Sequence, residues 1–85
     1  MANEQKHEKS VTIVVNGRSK VVLKEELTFE EVVALAEGLP SGPNVIYTVV
    51  YRKGEDKKPQ GTLVAGESVK VKNGMVFNVT ATDKS

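Results

Sequence analysis

The chain closes with the apolar stretch Gly74-Met75-Val76-Phe77-Asn78-Val79-Thr80-Ala81-Thr82, which is followed by the polar residues Asp83-Lys84-Ser85. Met75, Phe77, Val79 and Ala81 alternate with Val76, Asn78, Thr80 and Thr82. A period of two with one apolar side is typical of a half-buried strand. The stretch therefore predicts a central strand that buries Met75, Phe77 and Val79. Residues 83–85 are then expected to form a mobile, solvated tail that carries the terminal carboxylate.

Length and composition limit the class of protein. Eighty-five residues, 39% apolar and 27% charged, are typical of one small globular domain. A net charge of +1 argues against a nucleic-acid partner, because binding to a phosphate backbone relies on a large excess of basic residues. The chain contains no cysteine, which excludes a disulfide framework, a thiolate metal site and a cysteine nucleophile.

The amino-terminal residues 1–10 are polar and show no periodicity, so we predict a flexible leader there. They are also unlike the apolar core of a signal peptide, and no apolar run approaches the roughly 20 residues that cross a bilayer. The sequence therefore predicts a cytoplasmic protein with no membrane partner.

Two strands and a helix are predicted next. Residues 11–15 alternate, residues 16–19 contain an Asn-Gly pair suited to a hairpin turn, and residues 20–24 follow as a second strand. The apolar period then changes to about 3.6, which indicates a helix, with Thr28 and Glu31 spaced as a capping box and Gly38 placed to end it. Its apolar positions are Phe29, Val32, Val33, Leu35, Ala36 and Leu39.

The remaining elements are strands and turns. Residues 45–52 are rich in β-branched and aromatic side chains and predict a third strand, and residues 53–60 form a charged turn. Residues 61–64 are a short edge segment with Leu63 in the core. Residues 68–72 predict a strand that meets the last one through an Asn73-Gly74 hairpin. A looser crossover with one buried valine is the alternative.

This order predicts an α+β domain at residues 11–82, with one helix packed on one face of a mixed sheet of four to five strands. A hairpin, a helix and a returning strand form the β-grasp layout, in which the last strand lies parallel to the first in the middle of the sheet. The helix face is expected to cover Ile13, Val15, Val21, Leu23, Val49, Phe77 and Val79.

The opposite sheet face is then expected to carry Val14, Val22, Ile46, Val50 and Val76. An apolar patch of this kind is a candidate partner surface, although scattered exposed valines are also ordinary in strands. The third strand could face the other way, which would exchange Ile46 and Val50 for Tyr47 and Tyr51.

Catalytic and metal-binding patterns are absent from the sequence. The single histidine, His7, lies in the leader, and helix capping accounts for the acidic residues near the helix start, Glu25, Glu26, Glu30 and Glu31. No group of residues suggests a catalytic site, a metal ligand set or a cofactor. The sequence predicts a protein that is not an enzyme.

Several blocks resemble ubiquitin-like proteins and, more closely, the bacterial multi-ubiquitin domain family. They are residues 13–18, residues 27–36, residues 47–51, residues 61–63 and residues 66–85, which include Asn73-Gly74-Met75-Val76-Phe77-Asn78-Val79-Thr80. The resemblance covers nearly everything after the leader.

The resemblance implies a protein modifier whose terminal carboxylate is activated as an adenylate, passed to carrier enzymes and joined to protein targets. It implies partners similar to activating enzymes, conjugating enzymes and JAB-type peptidases, and it assigns the conjugation tail to Thr82, Asp83, Lys84 and Ser85. Such modifiers commonly end in Gly-Gly, which is missing here. Three explanations of the missing glycines are open. Cognate enzymes accept the bulky tail, the tail is trimmed first, or the protein is recognised without conjugation. A non-covalent binding module and one unit of a tandem array are the alternatives.

Overall fold

The computed structural model describes residues 10–54, 57 and 59–83. The predictions for residues 1–9, which include His7, and for Lys84 and Ser85 lie outside the described residues. Within that range the elements are β1 (Val11–Val15), β2 (Arg18–Val22), β3 (Glu26–Thr28), α1 (Phe29–Leu35), β4 (Val45–Arg52), β5 (Gly61–Leu63), β6 (Ser68–Lys70) and β7 (Val76–Asp83).

The main sheet has five strands in the order β2-β1-β7-β4-β5. Strand β7 pairs in parallel with β1 and antiparallel with β4, so the last strand lies in the middle of the sheet beside the first. A second, two-stranded sheet pairs β3 with β6. One helix on one face of a mixed five-stranded sheet confirms the α+β, ubiquitin-like β-grasp prediction.

Helix α1 begins as the sequence predicts and ends sooner. The Thr28 hydroxyl accepts from the Glu31 N–H at 3.1 Å, and the Glu31 carboxylate accepts from the Thr28 N–H at 2.9 Å, which forms the capping box. The helix ends at Leu35, before the predicted stop at Gly38, because Ala36 is already extended. The apolar spacing in the sequence extends beyond the end of the helix because Ala36 and Leu39, in the following turn, also contact the core.

The core lies between α1 and the helix-facing side of the sheet. It contains the predicted Met75, Phe77, Val79 and Leu63, and the Tyr51 and Phe77 ring centroids lie 6.1 Å apart. Its buried members are Val11, Ile13, Val15, Leu27, Val32, Ala36, Val49, Tyr51, Leu63, Val71, Met75, Phe77 and Val79.

The face assignment of β2 was wrong. The turn is only Asn16-Gly17, with φ of 51° and 81°, so Val15 pairs with Arg18 and Val11 pairs with Val22. Because facing residues share a side of the sheet, Val22 packs against the core and Val21 lies on the opposite face. Val21 and Leu23, both predicted to be buried, are 65% and 61% exposed. Since side chains alternate, the pairing register decides the face of the whole strand.

The predicted hairpin between residues 68–72 and β7 was also wrong. Strand β6 pairs with β3, and the chain then crosses over with Val71 buried, as in the alternative. The Asn73 side chain accepts from the Thr12 N–H at 2.8 Å, and the Gly74 N–H donates to the Thr12 carbonyl at 2.8 Å. The Asn73-Gly74 pair therefore bonds to β1 and leads the chain into β7. It does not form the expected hairpin between β6 and β7.

Asn16 fixes the first hairpin to the last strand. Its side-chain Nδ2 donates to the Val79 carbonyl at 3.0 Å, and its Oδ1 accepts from the Val79 N–H at 2.7 Å. Residues far apart in sequence thus share a reciprocal pair of hydrogen bonds at the centre of the sheet.

We expect Asn16→Ala to lower the free energy of unfolding by about 2 kcal/mol, because it removes two hydrogen bonds and leaves partly buried Val79 groups unpaired. Asn16→Asp keeps the acceptor and loses the donor, so its stability should be intermediate. Chemical denaturation measures the free energy of unfolding of the unmodified chain and of both variants. The exposed Asn44→Ala is the control, with a change of less than about 0.5 kcal/mol. Equal stability of Asn16→Ala and the unmodified chain would contradict the role of the bridge.

The pKa of Glu31 lies below its ordinary value of 4.5, first because Lys24 donates a hydrogen bond to it and then because the Thr28 N–H does. A carboxylate with a lowered pKa in the folded state stabilises the fold above its unfolded pKa, and this contribution is lost as pH falls through the folded pKa. We expect Glu31→Gln to lower Tm at neutral pH and the difference from the unmodified chain to shrink below about pH 4.5.

Thermal unfolding over a pH series measures this effect. In a Lys24→Met background, Glu31 loses the main cause of its lowered pKa, so the Glu31→Gln substitution should produce a smaller pH-dependent difference. A difference that stays constant from neutral to acid pH would show that the ionised Glu31 carboxylate does not stabilise the fold.

Candidate functional site

The sheet face opposite α1 is called the open face here. Register places its residues together: Val14 faces Val76, Val76 faces Arg52, and Ile46 faces Thr82. Its members are Thr12, Val14, Ser19, Val21, Ile46, Thr48, Val50, Arg52, Thr62, Val76, Asn78, Thr80 and Thr82. The structure thus brings four of the five predicted surface residues, Val14, Ile46, Val50 and Val76, onto one face.

The orientation of β4 is the first of the two alternatives. Ile46 is 49% exposed and Val50 is 38% exposed on the open face. On the other side of the strand, Tyr51 is buried, and the half-buried Tyr47 donates its hydroxyl to the Pro40 carbonyl at 2.8 Å. The tyrosines are therefore anchored, and the aliphatic residues are available for contact.

Two corrections apply to the predicted surface. Val22 does not belong to it, because its pairing with Val11 turns it toward the core. Val21 belongs to it and was missed, since it faces Thr12 across β1 and β2. The Asn16-Gly17 pair could have predicted this position. A two-residue turn at that pair fixes the register of β1 and β2, and this register turns Val21 outward.

The open face is chemically suited to binding. Val50 on β4 and, near it, Val76 with Val14 supply apolar contact at one end of the face, and Ile46 supplies it at the other end. Thr48, Thr80 and Asn78 supply hydrogen-bonding groups between them. Among the members defined above, Arg52 is the charged one. The face therefore offers apolar and hydroxyl contacts to another protein and no acid–base pair.

The carboxyl end of β7 lies at the edge of this face. Thr82 pairs with Ile46, and Asp83 pairs with Val45, so both residues belong to the sheet. The strand thus runs one residue beyond the predicted boundary at Thr82, because β4 begins early enough to pair with Asp83. Of the predicted conjugation tail, Thr82 and Asp83 are strand residues next to Ile46, and Lys84 and Ser85 lie outside the described range.

Acidic residues near the start of α1 have structural roles. Glu31 completes the capping box, and Glu26 accepts from the Ser68 hydroxyl at 2.9 Å across the small sheet. Within the described residues no three His, Cys, Asp or Glu side chains are grouped so that they could hold a metal ion. The same part of the chain has no helix long and apolar enough to cross a membrane.

Comparison with known proteins identifies a family. No curated protein and no solved structure matches the chain significantly. A sequence model of the multiubiquitin family matches residues 11–83, which span every strand and the helix described above. The β-grasp topology agrees with this match, since β7 occupies the middle of the sheet beside β1. The chain therefore belongs to the multiubiquitin family.

Proposed function

We propose that the chain is a ubiquitin-like protein modifier in the bacterial cytoplasm. In this role a carboxylate after β7 attacks the α-phosphorus of ATP on a cognate activating enzyme and releases pyrophosphate. A nucleophile of a carrier enzyme then displaces AMP from the resulting acyl adenylate, and the chain is joined to a target protein. A conjugating enzyme and a JAB-type peptidase-like protein are the further partners in this proposal.

The family match over residues 11–83 is the observation that carries the proposal. The position of β7 is compatible with it, because the strand ends at Asp83 at the end of the sheet where β4 begins. An enzyme that engages residues beyond Asp83 therefore lies close to Ile46 and can contact the tail and the open face together.

The tail places a demand on such an enzyme. Thr82 and Asp83 are paired with Ile46 and Val45, so using them as an extended tail requires these last pairs of the sheet to open. Residues 82–85 also contain no glycine, the residue that lets a chain thread a narrow channel. An activating enzyme that takes up these residues therefore has a wider channel, or trimming removes them before activation.

The exposed aliphatic residues favour a second candidate, a non-covalent binding module. Ile46 and Val50 are both exposed on the open face of β4, on either side of Thr48, and exposed apolar patches are a feature of protein-interaction sites. Such a module would dock through the open face and would need no chemistry at its carboxyl end. The two candidates differ in whether residues after β7 are necessary.

With its cognate activating enzyme and ATP, the full chain should form an adenylate or a covalent adduct through its last residue or a trimmed end. Intact-mass spectrometry detects the added AMP or the joined carrier. A chain lacking Lys84 and Ser85 tests the tail: loss of the adduct supports conjugation at the native end, whereas an adduct at a shorter end supports trimming. If no adduct forms with either protein, the modifier proposal is wrong.

Ile46→Asp should weaken binding to the activating enzyme by about tenfold or more, because it buries a charge in an apolar contact. The control Ile46→Thr keeps β-propensity and much of the side-chain volume, so it should weaken binding less. Calorimetry measures both affinities, and thermal unfolding checks that both variants fold. Equal affinity of Ile46→Asp and the unmodified chain would remove Ile46 from the proposed surface.

A further inference from the structure

Strand β2 has an unpaired edge. The Val14 N–H donates to the Met75 carbonyl and the Asn16 N–H donates to the Phe77 carbonyl, so these β1 residues bond toward β7. Because backbone hydrogen-bonding groups alternate in direction along a strand, those of Val11, Ile13 and Val15 point toward β2. Their β2 partners bond back to β1, which leaves the backbone groups of Ser19 and Val21 pointing away from the sheet. In the described residues no strand pairs with that edge.

An apolar groove lies beside this edge, between β2 and α1. Its walls are Val22, Leu23, Leu27, Ala34 and Leu35, with Lys24 and Glu31 at the rim. Val21 and Leu23, at 65% and 61%, are the most exposed of the large apolar side chains in the described part of the chain. Free backbone groups and exposed apolar side chains therefore occur at the same edge. Val21 projects from it on the open face, whereas Leu23 and the groove lie on the helix side of the sheet, away from Ile46 and Val50.

The β2 side of the groove is basic. Arg18, Lys20 and Lys24 lie on or next to the strand. Lys24 pairs with Glu31. Glu37, which follows α1, pairs with Lys20 at 2.8 Å and with Arg18 at 3.8 Å. The hydrogen bond from Lys20 lowers the pKa of Glu37. Arg18 is 71% exposed, and its guanidinium has further N–H groups that one carboxylate does not occupy. The edge can therefore receive another carboxylate.

We propose that β2 and this groove bind an extended segment of a partner protein, in which apolar residues are flanked by acidic ones. The segment adds to the sheet as a sixth strand and exchanges hydrogen bonds with Ser19 and Val21. Alternate apolar side chains enter the groove, and the acidic flank contacts the exposed guanidinium of Arg18. The five residues of β2 provide pairing for a segment of about five residues, roughly 17 Å long.

Charge and composition argue against two other occupants. A second copy paired edge to edge would bring two strands bearing Arg18 and Lys20 together, and like charges repel. Residues 1–9 contain Met1 and Ala2 as their apolar residues, so this segment of the chain lacks the apolar run that the groove would bury. An acidic-flanked apolar segment of another protein satisfies both the groove and the basic edge.

The test is an NMR titration of the full chain with a short synthetic peptide that has a central valine–isoleucine block and aspartates on one flank. Amide signals of Ser19, Val21, Leu23 and Ala34 should shift, and those of Thr48 and Thr80 on the open face should not. The same peptide with lysines in place of the aspartates should bind about tenfold more weakly.

Two pairs of variants separate the backbone and groove contributions. Val21→Pro removes an outward-facing N–H that β1 does not use, and Val21→Thr keeps it. Ala34→Glu places a charge in the groove, and Ala34→Ser does not. We expect Val21→Pro and Ala34→Glu each to lower affinity about tenfold, with their controls within about twofold of the unmodified chain.

Several outcomes would overturn the proposal. They are the absence of binding at millimolar peptide, shifts confined to β4 and β7 residues such as Thr48 and Thr80, or unchanged affinity for both Val21→Pro and Ala34→Glu. Sedimentation of the chain alone as a dimer that Val21→Pro dissociates would assign the edge to a second copy. If Val21→Pro does not fold, Ala34→Glu and the lysine-flanked peptide still decide. None of these measurements depends on conjugation, so the modifier proposal can fail without affecting them.

Discussion

The structure depends on the pairing of β7 with a strand on each side. Along β4 this pairing runs from Val76 to Asp83, and along β1 it is parallel, with Val14 and Val15 as partners. Without β7 the hairpin of β1 and β2 has no connection to β4 and β5, and the apolar face under α1 cannot close. The Asn16 bridge to Val79 strengthens the same junction, so the fold is joined by contacts that are distant in sequence.

Much of this could be predicted because each pattern was local and strong. The alternation of Met75, Phe77 and Val79 identified the buried side of β7, and the spacing of Thr28 and Glu31 identified the start of α1. The errors arose where the deciding contact was distant. Val22 and Val21 exchanged faces because the register of β2 depends on its pairing with β1, and residues 68–70 paired with β3, which local propensity does not specify.

The same contrast between local patterns and distant contacts applies to the candidate surfaces. Strand alternation separated Val14, Ile46, Val50 and Val76 from the buried positions of their strands, but the direction that β4 faces depends on its pairing with β7. The groove beside β2 could not be predicted, since it requires the close approach of Leu23 and Ala34 from elements whose relative position is set by tertiary packing. The two surfaces use different physical means. The open face offers side chains, whereas the β2 edge also offers backbone hydrogen bonds, so one molecule has room for two partners of different kinds.

The parallel pairing of β1 and β7 has a mechanical consequence. Because the two strands run in the same direction, the start of β1 at Val11 and the end of β7 at Asp83 lie toward opposite ends of the sheet. A force that pulls these two points apart therefore loads the hydrogen bonds between β1 and β7 in shear, so that they resist together and do not break one after another. Forced unfolding depends on the height of that barrier, and equilibrium stability does not determine it. A machine that unravels this domain by pulling Val11 and Asp83 apart must therefore overcome the joint between its first and last strands.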